Sequence, residues 1–123
     1  MKVVWMRTED GETVFEDLEF DSVAGERGFE TPVLPIAGVI FRTGQPELDL
    51  GFHNAPRRQI VMPLTGEVTV ASGDGTERHI GPGEALLADD LTGRGHTSIF
   101  RPANATMAFL VLSDDFDPPS LAR

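Results

Sequence analysis

The stretches Gly51–Gly66, GFHNAPRRQIVMPLTG, and Gly81–Ser98, GPGEALLADDLTGRGHTS, decide the fold of this chain. Each places one histidine in a short polar patch between apolar runs of strand length. A small β-barrel builds a site in its mouth by setting a histidine at the end of a strand, next to a turn. The two stretches therefore predict a barrel-mouth site, and they do not name its ligand.

Short apolar runs separated by 13 glycines and 9 prolines predict an all-β, antiparallel barrel. Apolar and polar residues alternate from Glu67 to Ala71, and Gly73-Asp74-Gly75 is predicted to close a hairpin with the next run. No segment sustains a helical period over ten or more residues. The predicted strands are Thr13–Phe20, Val33–Arg42, Leu48–His53, Gln59–Leu64, Glu67–Ser72, Thr76–Ile80, Ala85–Ala88, Thr97–Arg101 and Thr106–Leu112. The residues predicted to face inward are Val68, Val70, Leu86, Phe109 and Val111.

Length and composition set the limits of the interpretation. A chain of 123 residues fits a single domain, with Asp114–Arg123 expected as a loose tail. The 20 acidic and 10 basic residues give a formal charge of -10, which repels nucleic acid and anionic lipid. Without cysteine the chain has no disulfide, thiol nucleophile or zinc-thiolate site. The apolar run near the N-terminus is too short for a signal peptide, so we expect a cytoplasmic protein.

The first stretch resembles the first motif of the cupin superfamily, which reads His, any residue, His, three or four residues, Glu, six residues, Gly. His53 takes the first histidine place. Ala55 stands at the second histidine place and Gln59 at the glutamate place. Gly66 follows at the expected distance, in the turn before the next strand.

The second stretch resembles the second cupin motif. It opens on Gly83-Glu84, has Leu91 where the motif has proline, and continues with Gly93 and His96. This segment is two residues longer than the usual pattern. The resemblance, which covers residues 48–113, is to a small single-domain cupin with an incomplete metal-ligand motif. It implies an antiparallel jelly-roll β-barrel.

The resemblance also implies a metal site made of His53, Gln59 and His96. A divalent transition metal (Fe, Mn, Ni, Zn or Cu) is the cofactor that such a site would hold. The neutral amide oxygen of Gln59 is a poorer donor than a carboxylate, so we expect a lower affinity for metal. Asp89 or Asp90 is a candidate for the missing carboxylate, since both lie near His96 in the sequence.

Arg57 and Arg94 are candidate substrate-binding residues at the rim of the barrel. Arg57 lies with Arg58 after Pro56, in the connection between two strands, and Arg94 lies between two glycines. Arginine presents a bidentate fork that suits carboxylate or phosphate. The alternative is a solvated pair for Arg57 and Arg58, and a tight turn around Arg94.

Three classes of function agree with these features. The first is a metal-dependent enzyme of dioxygenase, isomerase, decarboxylase or lyase type, acting on a small polar or anionic molecule. The second is a metal-free binding or sensing module, in which the same side chains only form hydrogen bonds to the ligand. The third is a sensor that acts on a separate DNA-binding protein, since the acidic chain leaves no room for a helix-turn-helix.

A homodimer is the expected assembly. An open jelly roll leaves sheet edges exposed, and pairing them across a two-fold axis covers those edges. The predicted strand Thr13–Phe20 is the candidate for that pairing.

Overall fold

The structure is a computed structural model that describes residues 1–44 and 49–116, and in these ranges it contains strands and no helix. The prediction of an all-β fold is therefore confirmed. No helix in these ranges is long and apolar enough to cross a membrane. The strands are β1 (Lys2–Glu9), β2 (Glu12–Glu19), β3 (Val23–Gly25), β4 (Gly28–Glu30), β5 (Ile36–Thr43), β6 (Asp49–His53), β7 (Gln59–Pro63), β8 (Glu67–Ala71), β9 (Glu77–Ile80), β10 (Ala85–Asp89), β11 (His96–Arg101) and β12 (Thr106–Leu112).

Two sheets form the barrel. One has six strands in the order β2-β1-β10-β7-β12-β5, and the other has four in the order β6-β11-β8-β9. β3 and β4 form a separate hairpin. β1 runs parallel to β10, and the other pairs in the described ranges are antiparallel. This is a cupin-like jelly roll, as the sequence predicts.

The core lies between the two sheets. Val68, Val70, Leu86 and Phe109 are buried in it, as predicted. Val111, which was also predicted to face inward, is only half-buried. Val111 lies beside the edge strand β5, where its neighbour across the ladder is Gly38, and a glycine has no side chain to cover it.

The six-stranded sheet is apolar on its second face as well. Ile60 and Leu87, next to inward-facing residues, pack there with Phe20, Leu112 and Phe116. The buried Phe116 belongs to the segment expected as a loose tail, so the structure anchors the start of that segment. The rest of the tail, residues 117–123, lies outside the described residues.

All nine predicted strands are present with shifts of a few residues at their ends, although Leu48, the predicted start of β6, lies outside the described residues. The sequence does not predict β1, β3 or β4. β1 was missed because Val3 packs on the outer face of its sheet while Met6 packs on the inner one. Burial on both faces gives a continuous apolar run in place of the alternation that marks a half-buried strand.

The predicted hairpin turn at Gly73-Asp74-Gly75 joins β8 and β9. The Asp74 carboxylate accepts hydrogen bonds from the Ser72 hydroxyl and from the backbone N–H of Thr76, the latter at 2.9 Å. These bonds favour the ionised form and lower the pKa of Asp74 to about 2. The turn is therefore held by a side chain that imitates a backbone acceptor.

Candidate functional site

The strand register brings the two predicted site histidines together. His53 ends β6 and His96 begins β11, and the two residues are direct partners in the β6–β11 ladder. Their imidazole centroids are 4.5 Å apart, with an angle of 54° between the ring planes. Gln59 begins β7 in the opposite sheet and lines the same cavity.

A glycine-rich loop lets these strand ends approach each other. The Asn54 side chain donates hydrogen bonds to the carbonyls of Thr92 and Gly93, at 3.0 and 3.1 Å. Gly95 has a φ of +83°, and a Cβ atom at this position would lie 2.2 Å from the His53 carbonyl oxygen. Gly95 is therefore required both for its backbone conformation and for the contact with β6.

Hydrogen bonding fixes the tautomer of His53. Its Nδ1 lies 2.7 Å from the Gly51 carbonyl oxygen. A carbonyl only accepts, so Nδ1 carries the proton and donates it. Nε2 then keeps its lone pair, 3.4 Å from the Ser98 hydroxyl.

His96 is held by a buried carboxylate. Its Nδ1 lies 2.5 Å from Oδ2 of Asp90, and the Thr13 hydroxyl donates to the same oxygen at 2.7 Å. Asp90 is 0% exposed, and its Oδ1 has no hydrogen-bond partner among the residues that the structure describes. Asp90 therefore orients the ring and leaves Nε2 of His96 as the nitrogen available to a ligand.

Gln59 is paired with a cation. The Arg57 guanidinium donates from Nη1 to Oε1 of Gln59 at 3.2 Å, and the Gln59 side chain is buried. The oxygen that the resemblance assigns to a metal is therefore already an acceptor for a positive charge.

These residues lie around a cavity of about 330 Å³ between the two sheets. Its wall is apolar toward the core and polar near the strand ends. Of the described residues, none with a carboxylate lines it. The polar and charged lining residues are Arg42, His53, Asn54, Arg57, Gln59, His96 and Ser98.

Arg42 is a charged lining residue that the sequence does not predict, and Asn54 and Ser98 are polar ones. Its guanidinium carbon lies 4.4 Å from the ring centroid of Phe109 and 5.2 Å from that of Phe100, so it contacts both sheets. Burial lowers the pKa of Arg42, and an arginine nevertheless stays charged in a protein. No carboxylate of the described residues forms an ion pair with it. The signal available in the sequence was one cation near the end of an apolar strand.

Arg94, the other predicted substrate-binding residue, lies elsewhere. Its guanidinium stacks on the Phe52 ring at 4.7 Å from the centroid and packs against Gly73. Of the two predicted arginines, Arg57 lines the cavity, and Arg94 is not among the described residues that line it.

The two neighbouring aspartates have different partners. The Asp89 carboxylate accepts from the Arg58 guanidinium at 2.7 Å and from the Trp5 indole N–H at 3.0 Å. Asp90 alone of the two contacts a site histidine. This division follows the alternation of side chains at the end of β10.

The donor set suits an anion better than a divalent metal. Both imidazoles donate from Nδ1, as metal-ligating histidines do, but Nε2 of His53 already lies at hydrogen-bond distance from the Ser98 hydroxyl. However, Gln59 supplies a neutral oxygen that already accepts from Arg57, and Arg42 lines the same cavity. Among the described residues, a divalent cation would meet two guanidinium groups and no lining carboxylate. Within the described ranges, no group of three or more His, Cys, Asp or Glu is arranged to hold a metal ion.

The two sheets and the paired strand-end histidines define a cupin-like barrel with an internal site. No protein-family model matches the chain, and a search of the curated proteins finds no match. Among solved structures, the chain is similar to QdtA, a sugar 3,4-ketoisomerase from Thermoanaerobacterium thermosaccharolyticum in complex with TDP. The identity is 16% and the TM-score 0.41, over 86% of this chain and 84% of that chain.

A double mutant of the same 3,4-ketoisomerase in complex with TDP is also similar. Here the identity is 18% and the TM-score 0.42, over 94% of this chain and 88% of that chain. At these values no activity of that enzyme is transferred to this chain.

Proposed function

We propose that this protein is a member of the cupin superfamily and that it binds a small organic anion in its barrel cavity without a metal. One observation carries the proposal: Arg42 and Arg57 line the cavity, and no carboxylate of the described residues lines it with them. In a chain with a formal charge of -10, this local excess of positive charge is the opposite of the overall balance.

The two arginines differ in what they offer a ligand. Arg57 already donates to Gln59, so its remaining N–H groups are available for a second acceptor. Arg42 contacts two aromatic rings, which restrict the position of its flat guanidinium. A carboxylate or phosphate that reaches either group gains charge-assisted hydrogen bonds.

The apolar wall of the cavity indicates the chemistry of the part of the ligand that carries no charge. Val61, Val70, Leu86 and Phe109 line its inner part, where they contact a hydrocarbon better than a sugar or a free inorganic ion. We therefore propose a ligand with one anionic group and an apolar body. The volume of about 330 Å³ suits a small metabolite.

The first prediction tests anion binding with benzoate, hexanoate and inorganic phosphate, titrated in a calorimeter. Benzoate and hexanoate are expected to bind at millimolar concentrations or below, and phosphate more weakly. Arg57→Met should weaken binding by about tenfold or more, since a charge-assisted hydrogen bond contributes about 1.5–3 kcal/mol. Arg94→Met is the matched control, because Arg94 stacks on Phe52 and does not line the cavity. It should leave binding unchanged.

Two results would contradict this proposal. One is the absence of binding by all three anions at millimolar concentrations, and the other is an equal loss in both variants. Dialysis against Fe, Mn, Ni, Zn and Cu salts covers the metal-dependent alternative. Uptake of one metal per chain that is lost in His96→Ala and raised in Gln59→Glu would favour that alternative.

The Asp90–His96 pair favours a second candidate function, a metal-free isomerase or lyase. In such an enzyme Nε2 of His96 takes a proton from the carbon next to a carbonyl of the bound anion. Asp90 stabilises the resulting imidazolium, and the electron pair of the broken C–H bond moves to the carbonyl oxygen. Arg57 or Arg42 lies in the cavity wall to face that developing charge.

The second prediction tests proton transfer through hydrogen exchange. The protein is expected to speed the exchange of the C–H hydrogens of levulinate, an anionic ketone, for deuterium from the solvent, followed by proton NMR. His96→Gln should reduce the protein-catalysed rate of hydrogen exchange by about a hundredfold or more, as is usual when a general base is lost. His79→Gln is the control, since His79 is exposed on β9. An equal rate in both variants would exclude His96 as the base.

A further inference from the structure

Ser98 contributes a buried hydroxyl to the wall of the cavity. It lies on β11 two residues after His96, so both side chains point to the inner face of that strand. Ser98 is only 3% exposed, and it is among the residues that line the cavity. Its Oγ lies 3.4 Å from Nε2 of His53, which ends the neighbouring strand β6. The cavity therefore contains a serine and a histidine in contact.

The tautomer of His53 fixes the direction of this hydrogen bond. Nδ1 donates to the Gly51 carbonyl at 2.7 Å, so Nε2 of the neutral ring has no proton and accepts. The Ser98 hydroxyl is therefore the donor, and its proton points at a base. A hydroxyl that donates to an imidazole, whose other nitrogen is held by an acceptor, is an activated nucleophile. The Gly51 carbonyl here occupies the place of the carboxylate that orients the imidazole in a serine-hydrolase triad.

A bulge in β6 lies at this contact. His53 pairs with His96 in the β6–β11 ladder, and the next pair joins Leu50 with Ser98. Two residues of β6, at positions 51 and 52, thus lie between these pairs, against one residue of β11, at position 97. A bulge bends its strand and re-aims side chains, often next to an active site. This bulge contains Gly51, whose carbonyl holds the ring of His53.

The cavity also supplies what acyl transfer requires besides the nucleophile and the base. Attack on an ester carbonyl creates negative charge on its oxygen, which fixed positive groups stabilise. Arg42 and Arg57 line the same cavity as Ser98. Arg57 keeps N–H groups that its hydrogen bond to Gln59 does not use. The apolar part of the wall suits a short acyl chain, and the volume of about 330 Å³ has room for a small ester.

We infer that Ser98 and His53 form a catalytic pair that hydrolyses small carboxylic esters. Oγ of Ser98 forms a bond to the ester carbonyl carbon while its proton passes to Nε2 of His53. The bond from that carbon to the alcohol oxygen then breaks, and the alcohol leaves with the proton from Nε2. Water attacks the acyl group on Ser98 by the same route, which releases the carboxylic acid and restores the serine.

The third prediction is the hydrolysis of p-nitrophenyl acetate, followed through the absorbance of the released p-nitrophenolate. Ser98→Ala and His53→Gln should each lower the protein-catalysed rate by about a hundredfold or more, since each removes a reacting group. Thr97→Ala is the matched control, because it removes a hydroxyl one residue away on the opposite face of β11. His79→Gln removes an exposed histidine. Both controls should keep the wild-type rate.

A second measurement identifies the acylated residue in the wild type, so it does not depend on the folding of a variant. The protein is quenched with acid during turnover and digested, and mass spectrometry should find an acetyl group on Ser98. Ser98→Cys should be acetylated at the same position, since a thiol replaces the hydroxyl and the chain has no other cysteine.

Three results would overturn the inference: a wild type no faster than buffer, equal rates in the wild type and a folded Ser98→Ala, or acetyl groups on other residues only. The inference rests on Ser98 and His53 and not on the retention of free anions. A protein that is acetylated at Ser98 but binds none of the three anions therefore contradicts only the proposal of anion binding.

Discussion

Replacing Gly95 by alanine is expected to destabilise the protein strongly and to separate the two site histidines. Gly95 has a φ of +83°, and its added Cβ would lie 2.2 Å from the His53 carbonyl oxygen. An L-residue in this conformation costs about 1–2 kcal/mol, and overpacking adds about 1–3 kcal/mol. We therefore expect a loss of about 2–5 kcal/mol in the free energy of unfolding, measured with urea.

Gly75→Ala is the matched control for this experiment. Gly75 has a nearly equal φ of +87°, but no atom in the described part of the chain lies within 4 Å of where its Cβ would be. The free energy of unfolding of the control should therefore fall only by the conformational cost of the positive φ, about 1–2 kcal/mol. The difference between the two variants measures how closely the glycine loop packs on β6. Equal losses of unfolding free energy in the two variants would show that the close contact between Gly95 and His53 does not affect stability.

The second large effect is expected at Asp90. Asp90→Ala removes the acceptor of both His96 and Thr13 and leaves two buried donors without partners. Leaving one partner of a buried pair unmatched costs about 3 kcal/mol or more. Asp114→Ala, at an exposed position, is the control and should change the free energy of unfolding by less than about 0.5 kcal/mol.

A double variant tests how much the Asp90–His96 pair contributes, as a unit, to the free energy of unfolding. With Asp90→Leu and His96→Leu together, the donor and the acceptor leave at once, so the loss should be clearly smaller than the sum of the two single losses. Additive losses would contradict a direct interaction between the two side chains. A pair that costs little to replace as a unit is retained for its chemistry and not for stability.

Most of the fold can be predicted from the sequence because turns and half-buried strands each leave a pattern within a short segment. Glycine and proline mark the turns, and alternation marks strands such as β8, which are buried on one face. The prediction from sequence misses β1, because both faces of this strand are covered and a continuous apolar run has no period. It fails for β3 and β4 because three-residue strands carry too little pattern.

The site was predicted only in part, for a physical reason. The positions of His53, Gln59 and His96 follow from the two motifs, and the strand register that joins the histidines follows from the barrel. Arg42 lies outside both motifs, and only the packing of β5 against β12 brings it to the cavity. Its charge supports the anionic ligand that was among the expectations, and it argues against the metal cofactor that the resemblance implies. A contact between residues far apart in the chain produces no pattern within a short segment, so the sequence alone does not reveal it.

The hydrogen bond from Thr13 to Asp90 makes the N-terminal hairpin part of the site's folding unit. Thr13 lies on β2, far outside the motif region, and 77 residues separate it from Asp90. The same hairpin accepts the backbone N–H of Arg94 through the Gly11 carbonyl, at 2.9 Å. The glycine loop and the buried carboxylate are thus completed by residues that precede both motifs in the chain. We therefore expect local opening of this hairpin to remove the Thr13 hydrogen bond from Asp90 and to loosen the support of His96.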